Sequence, residues 1–401
     1  MNFIIAGMEN FCYNTLKRDK DGVFVKFKIL SLLMIILALA IICGCDSNVT
    51  KDVKAGNLPA EPPAPVDEIL KDMSLTEKVG QMVMIGVYGN SVNDDIRFLL
   101  AQYHMGGIIF FDRNMDSKAQ VRNFVENLNL VAVEKAPLFI AIDEEGGIVS
   151  RMTHDLTPPP SQEEIGYGGN PADAFNYAKS TAQNLKDLGF NLNFAPVADV
   201  GTQDTRSFSS DAEVVAEFVS NAAKGYEDAG IFYCLKHFPG IGRGTVDSHQ
   251  DVSTIYADRE ILDAEDLLPF KKIIAEQDNS KFMIMVSHLK YSALDEENSA
   301  TLSPAVITDL LRNELDFRGV VITDDLDMGA IANHLDASEV GVLAVKAGAD
   351  ILLSCHEYDT QQKIYLGILD AVESGEISQE RIDDSVRRIL KMKLELTKQN
   401  K

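Results

Sequence analysis

Cysteine is scarce in this 401-residue chain: five residues, scattered, with no pair at metal-ligand spacing and no framework of the kind that staples small secreted domains. Cys234 and Cys355 are each flanked by apolar residues, which predicts buried thiols. Basic residues are in deficit too. Lys and Arg number 37 against 61 Asp and Glu, a formal charge of −24, and no basic stripe is interleaved with aromatics, so no nucleic-acid partner is expected. No Walker loop occurs and no G-x-G-x-x-G follows an apolar run, which leaves nucleotide binding without support. No repeat stands out beyond an alternation of strand-like and helix-like segments. What is present is a chain with 46% hydrophobic residues, enough to bury a large core as one big domain or two ordinary ones.

The first 65 residues read as targeting and tether. Lys26 and Lys28 precede an apolar run from Ile29 to Ile42, too short for a comfortable membrane span and suited to a signal-peptide core. Ile42-Cys43-Gly44-Cys45 follows. This resembles a bacterial lipoprotein signal, in which a cysteine after a small residue is lipidated, and the position expected to carry lipid is Cys45; Cys43 competes but follows the bulky Ile42. The 24 residues ahead of the signal are mixed in charge and unlike one, which places the expected translation start near Val25. Residues 1–44 are thus the signal segment and residues 45–65 a proline-rich tether, stiffened by Pro59, Pro62, Pro63 and Pro65. The expected location is extracytoplasmic, held to the cell membrane through a lipid anchor only.

From about residue 66 to 398 the pattern changes. Ser74-Leu75-Thr76-Glu77 has the form of a capping box opening a helix. Eight short apolar runs follow: Gln81 to Gly86, Gly107 to Phe111, Leu138 to Asp143, Asn191 to Asp199, Ile231 to His237, Phe282 to His288, Gly319 to Asp325 and Ala349 to Cys355. Amphipathic stretches of helical length lie between them, such as Pro171 to Leu188, Asp211 to Ala229 and Pro304 to Phe317. Near-continuous apolar strands separated by helices predict a parallel sheet buried on both faces. Eight such units make an α/β fold of the (β/α)8 barrel type, in a single catalytic domain, the leading architecture; an open doubly wound sheet is the alternative.

Polar residues gather at the ends of these runs. Asp143 and Glu145 lie at the third, Asp199 at the fourth, Lys236 and His237 at the fifth, His288 at the sixth, and Asp324 with Asp325 at the seventh. In a barrel these carboxyl ends converge on one rim, where active sites are built. One Asp ending a strand is usually a cap or turn former. Five consecutive strands ending in charge or imidazole are harder to dismiss, because each desolvated group costs stability unless paired. After Lys236 and His237 the segment KHFPGIGRGTVDSH breaks regular structure at Pro239, Gly240, Gly242 and Gly244, and then brings Asp247 within two residues of His249. A carboxylate beside an imidazole fixes its tautomer and raises its proton affinity, which outlines a general acid/base; the plainer alternative is a histidine capping a nearby carbonyl.

Four stretches in order, DEEGGIVSR (Asp143 to Arg151), NFAPVADV through RSF (Asn193 to Phe208), KHFPG through DSH (Lys236 to His249) and LLRNELDFRGVVITDDLDM (Leu310 to Met328), resemble family 3 glycoside hydrolases, in particular the bacterial β-N-acetylglucosaminidase (β-N-acetylhexosaminidase) branch. The resemblance spans most of the chain after residue 66. It implies that Asp324 is the catalytic nucleophile, that His249 is the general acid/base oriented by Asp247, and that Asp143, Arg151, Arg206, Lys236 and His237 bind the terminal N-acetylglucosamine. It implies a structural role for Asp325 and a structural or substrate-adjacent one for Asp199. The implied activity is retaining, exo-acting hydrolysis of terminal non-reducing β-linked N-acetylglucosamine from N-acetylglucosamine-containing oligosaccharides of cell-wall or chitin origin, with turnover of peptidoglycan among the implied roles. No metal or other cofactor is required, and a monomer suffices.

These residue types fit that chemistry on their own. A glycosidic bond breaks through an oxocarbenium-like state, so it needs a carboxylate below the anomeric carbon and a proton donor at the leaving oxygen. Ile148 stands where relatives usually have Arg, Ile241 where His is common, Ser209 where Gly is frequent, and Val252-Ser253 where Leu-Pro is often seen. None of these removes an implied catalytic group. Two other readings stay open: a phosphorylase, since a histidine acid/base does not repel phosphate as a carboxylate would, and a non-catalytic lipoprotein that binds wall sugars.

Overall fold

The computed structural model describes residues 65–132, 135–151, 157–202, 204–244 and 253–399. Eight parallel strands close into a barrel: β1 (Val83–Gly86), β2 (Gly107–Phe110), β3 (Phe139–Ile142), β4 (Leu192–Asn193), β5 (Phe232–Phe238), β6 (Phe282–Val286), β7 (Val320–Asp325) and β8 (Ile351–Ser354). Each falls within or across one of the eight apolar runs. β8 returns to β1 through the pairs Val83↔Leu352 and Met84↔Leu353, which shuts the cylinder. At that seam the backbones come so close that a Cβ on Gly86 would sit 1.9 Å from the Cys355 carbonyl oxygen, so only glycine fits. Helices cover the outside, the strands are buried along their length, and the core runs through the barrel and between strands and helices.

Local chemistry sets the element ends. The capping box is formed: the Glu77 N–H donates to Ser74 Oγ and the Ser74 N–H to Glu77 Oε2, at 3.2 and 2.6 Å. The helix Ala212–Ala229 starts where Asp211 Oδ1 accepts from the Glu213 and Val214 amides, and stops at Gly230 in the left-handed region, φ 71°. The fourth run is paired over only two residues rather than nine, because Pro196, lacking an N–H, ends the ladder; Val197 meets Lys236 in an isolated bridge. Three short strands, Thr254–Ile255, Lys290–Tyr291 and Asp295–Ser299, form a small separate sheet that no apolar run announced, since DEENS is largely exposed.

The amino-terminal end of the barrel is closed by charge. Asp350, just before β8, is fully buried and accepts from Arg312 Nη2 (2.5 Å), Ser385 Oγ (2.6 Å), Arg388 Nη1 (3.1 Å) and the Val321 amide (3.0 Å). Lys393, also fully buried, donates to Gln81 Oε1 at 2.7 Å and to the Gly106 carbonyl at 2.6 Å, with its ammonium 4.9 Å from the Phe139 ring centroid. Ser385, Arg388 and Lys393 all lie on the helix Gln379–Gln399, so this one helix fastens the starts of β1, β2 and β8.

Candidate active site

At the opposite, carboxyl end, a cavity of about 470 Å³ opens. Asp143, Arg151, Arg206, Lys236, His237 and Asp324 all line it, six of the eight residues singled out for substrate or catalysis. The other two, Asp247 and His249, lie outside the described residues, as does Cys45. In an ideal strand neighbouring side chains face opposite ways. Here the pairing register shifts between Leu235 and Phe238 and between Ile322 and Asp325, so that Lys236 with His237, and Asp324 with Asp325, line the cavity together.

The cavity wall toward β3, β4 and β5 is an ion-pair lattice. Lys236 Nζ lies 2.6 Å from Asp143 Oδ1 and 2.6 Å from Glu145 Oε1. Arg206 grips the same Glu145 with both arms of its guanidinium, Nε and Nη2, each at 2.8 Å. Burial would raise the Glu145 carboxyl, but Lys236 and Arg206 outweigh it and hold it far below the usual carboxylate range. Lys236, despite burial, is raised by Asp143 and Glu145 and stays an ammonium. His237 is held by Asp199, whose Oδ2 is 2.7 Å from Nδ1 and whose Oδ1 accepts the His237 and Ile241 amides at 3.0 and 2.9 Å. The ring therefore carries its proton on Nδ1, and the Nε2 lone pair faces Arg206 Nη2 at 3.3 Å. Asp199 is fully buried behind this histidine and does not itself line the cavity. Arg151 lies 3.9 Å from Asp143 and keeps its Nε buried without a partner among the described residues.

Asp324 is half-buried at the end of β7. Burial pushes its carboxyl up. The imidazoles of His237 and His288, the Asp325 amide donating to Oδ1 at 2.8 Å, and Lys236 reverse this, and the net shift is down. An ionised carboxylate is thereby kept in a cavity whose lining also includes apolar Met285 and Leu353. Asp325 differs: burial and the neighbouring Asp327 push it up to about 7.

Several lining residues were not singled out from the sequence. Glu145 was noted at the rim but not as the group that binds Lys236 to Arg206. Phe111, Asp327 and His356 were passed over, although Phe111 directly follows β2 and His356 lies two residues past β8. The strand-end rule that found Asp143, Lys236 and His237 reaches Phe111 and His356 when it is extended to aromatic ends and to the residues just past each strand.

Fold and site together define a (β/α)8 barrel with a polar, charge-paired cavity at the end of the cylinder where barrel active sites are built. The chain belongs to glycosyl hydrolase family 3: residues 74–392 match the family's description, Glycosyl hydrolase family 3 N terminal domain. It is 34% identical over 335 residues to beta-hexosaminidase A of Pseudoalteromonas piscicida, covering 74% of this chain but 54% of that protein. It is 30% identical over 390 residues to beta-hexosaminidase LpqI of Mycobacterium tuberculosis, covering 91% of this chain and 96% of that one. The solved family 3 β-N-acetylglucosaminidase of Paenibacillus sp. str. FPU-7 superposes with a TM-score of 0.79 at 41% identity, over 81% of this chain and 63% of that chain.

Proposed function

We propose that this chain is a retaining exo-β-N-acetylhexosaminidase that removes terminal non-reducing β-linked N-acetylglucosamine from cell-wall or chitin-derived glycans. Asp324 carries this reading: a carboxylate kept ionised at the floor of the barrel's carboxyl-end cavity, across from an Asp143, Arg151, Arg206, Lys236 cluster rich in charge-assisted donors and acceptors. The relatives named beta-hexosaminidase support the substrate class.

Asp324 attacks the anomeric carbon as His249, oriented by Asp247, gives its proton to the departing oxygen. The new carbon–oxygen bond to Asp324 then breaks when water, deprotonated by His249, attacks the same carbon. Two inversions return the starting anomer. The fixed Lys, Arg and Asp groups of the rim bind the uncharged sugar through its hydroxyls and acetamido group without needing to rearrange. The enzyme acts as a monomer, carried outside the cytoplasmic membrane on lipid at Cys45.

Incubation with nitrophenyl N-acetylglucosaminide, followed by proton NMR, is the direct test. Release of the β-anomer first is the expected result. No release, release of the α-anomer first, or accumulation of sugar 1-phosphate in phosphate buffer would replace the proposal with a binding protein, an inverting enzyme or a phosphorylase respectively.

A further inference from the structure

Arg113, just past the end of β2, has every arm of its guanidinium committed. Nε donates to the Val87 carbonyl at 3.0 Å, Nη2 to the Cys355 carbonyl at 2.6 Å, and Nη1 faces His356 Nδ1 at 3.4 Å. Its flat faces lie over Phe111 and Tyr88, with centroids 4.5 and 4.9 Å away. A guanidinium only donates, so Nδ1 of His356 must be the nitrogen with the lone pair, and the single proton of the neutral ring sits on Nε2. Nε2 lies 3.4 Å from Asp325 Oδ2, close enough to act on the carboxylate by charge. The His356 ring is itself packed on Phe111, centroids 5.3 Å apart, and its amide donates to Asp327 Oδ2 at 2.8 Å. Asp325 is fixed at its other oxygen by the Asp327 and Cys355 amides, at 3.1 and 3.0 Å, and its own amide donates to Asp324 Oδ1.

We propose that His356, locked by Arg113 in the form protonated on Nε2, is a positioning residue that sets its Nε2 proton beside the Asp325 carboxylate and so holds the carboxylate and amide next to Asp324 in place. The inference rests on Asp324 being the attacking carboxylate. Three carboxylates, Asp324, Asp325 and Asp327, stand within four residues, and uncompensated charge on Asp325 would oppose both the ionisation of Asp324 and its departure from the glycosyl-enzyme. A cation set directly against Asp324 would blunt its attack. The relay instead delivers the field of Arg113 to Asp325, one residue away, through a neutral ring. Burial and then Arg113 lower the proton affinity of His356, against the opposing pull of Asp327 and Glu357, and Arg151 adds to the lowering, which keeps the ring neutral.

Asn and Gln at position 356 separate this role from packing. Gln can place a donor where Nε2 lies, whereas Asn reaches only the position of Nδ1. In His356→Asn the kcat of the intact enzyme on nitrophenyl N-acetylglucosaminide should fall with KM little changed. The step contributed by Asp325 to the kcat profile should move up by about one pH unit, a tenfold change in its proton affinity, and His356→Gln should restore it. In the wild type, two-bond imidazole correlations on nitrogen-15 histidine-labelled protein should show the His356 proton on Nε2, a measurement that needs no variant to fold. A proton on Nδ1, or an unmoved profile in His356→Asn, overturns the inference. A fluorinated N-acetylglucosaminyl fluoride that traps the glycosyl-enzyme tells its failure from that of the catalytic reading. Label on Asp324 with an unmoved profile removes the relay alone, and label on another carboxylate removes both.

Discussion

Asp324 and His249 differ in what their loss should do. Asp324→Ala removes the attacking group, so turnover of every substrate should fall to background. His249→Ala removes only the proton donor. A nitrophenolate leaves without protonation, so its first step should survive and give a burst, while a disaccharide should suffer in both steps. Asp247→Asn should act in the same direction more weakly, because the imidazole remains. Comparison of burst and steady-state rates on nitrophenyl N-acetylglucosaminide and on a natural disaccharide checks this; equal loss on both substrates in His249→Ala would reverse the assignment. Glu145 makes a different kind of prediction. Glu145→Gln leaves Lys236 and Arg206 facing a neutral amide in a buried setting and should cost about 3–5 kcal/mol. The Glu145 carboxyl is depressed in the folded protein, so its contribution is fully present above the unfolded value of about 4.3 and is lost as pH falls toward the lower folded value. Melting temperatures of wild type and variant should therefore stay apart from neutral pH to about pH 5 and converge below about pH 4.

At the scale of elements, the strands were legible because each is buried on both faces and so reads as an unbroken apolar run. The rim was legible because charged groups at the ends of such runs stand out against their surroundings. Pairings across the rim were not. Nothing in the spacing of Glu145 and Arg206, or of Arg113 and His356, distinguishes a partner from a bystander, because barrel closure and register shifts bring them together and leave no local period. The fourth run was overextended for a simpler reason: the apolar pattern continues through Phe194 and Val197, while Pro196 cannot sustain the ladder. The task of the helix Gln379–Gln399 was not legible either. A lysine in its sequence gave no sign of a destination inside the barrel. Lys393→Met keeps the stem and removes two donated hydrogen bonds, leaving Gln81 Oε1 without its donor and the Gly106 carbonyl with the Phe139 amide alone, and should cost about 2–4 kcal/mol. Chemical denaturation should show a lower midpoint with an unchanged slope, and kcat at ambient temperature should hold, since the cavity lies at the other end.

For the whole molecule, we propose a strongly acidic barrel carried on a proline-rich tether behind a lipidated Cys45. Cys45→Ala should leave the signal unprocessed or release the protein from the membrane fraction, without altering kcat of the solubilised enzyme. Fractionation and mass spectrometry of the amino-terminal peptide read both; a variant that sediments with membranes as the wild type does would remove lipid from the account. The clasp at the bottom of the barrel sets an order of events during synthesis. Gln81 stands at the threshold of β1, yet the ammonium that satisfies it belongs to a residue 312 positions later, and β1 itself pairs with β8. The first strand thus emerges from the ribosome long before either of its permanent neighbours on that side exists. A chain of this design is committed to waiting: its cylinder cannot shut progressively, strand by strand, and stays open along one seam until β8 and the helix bearing Lys393 arrive.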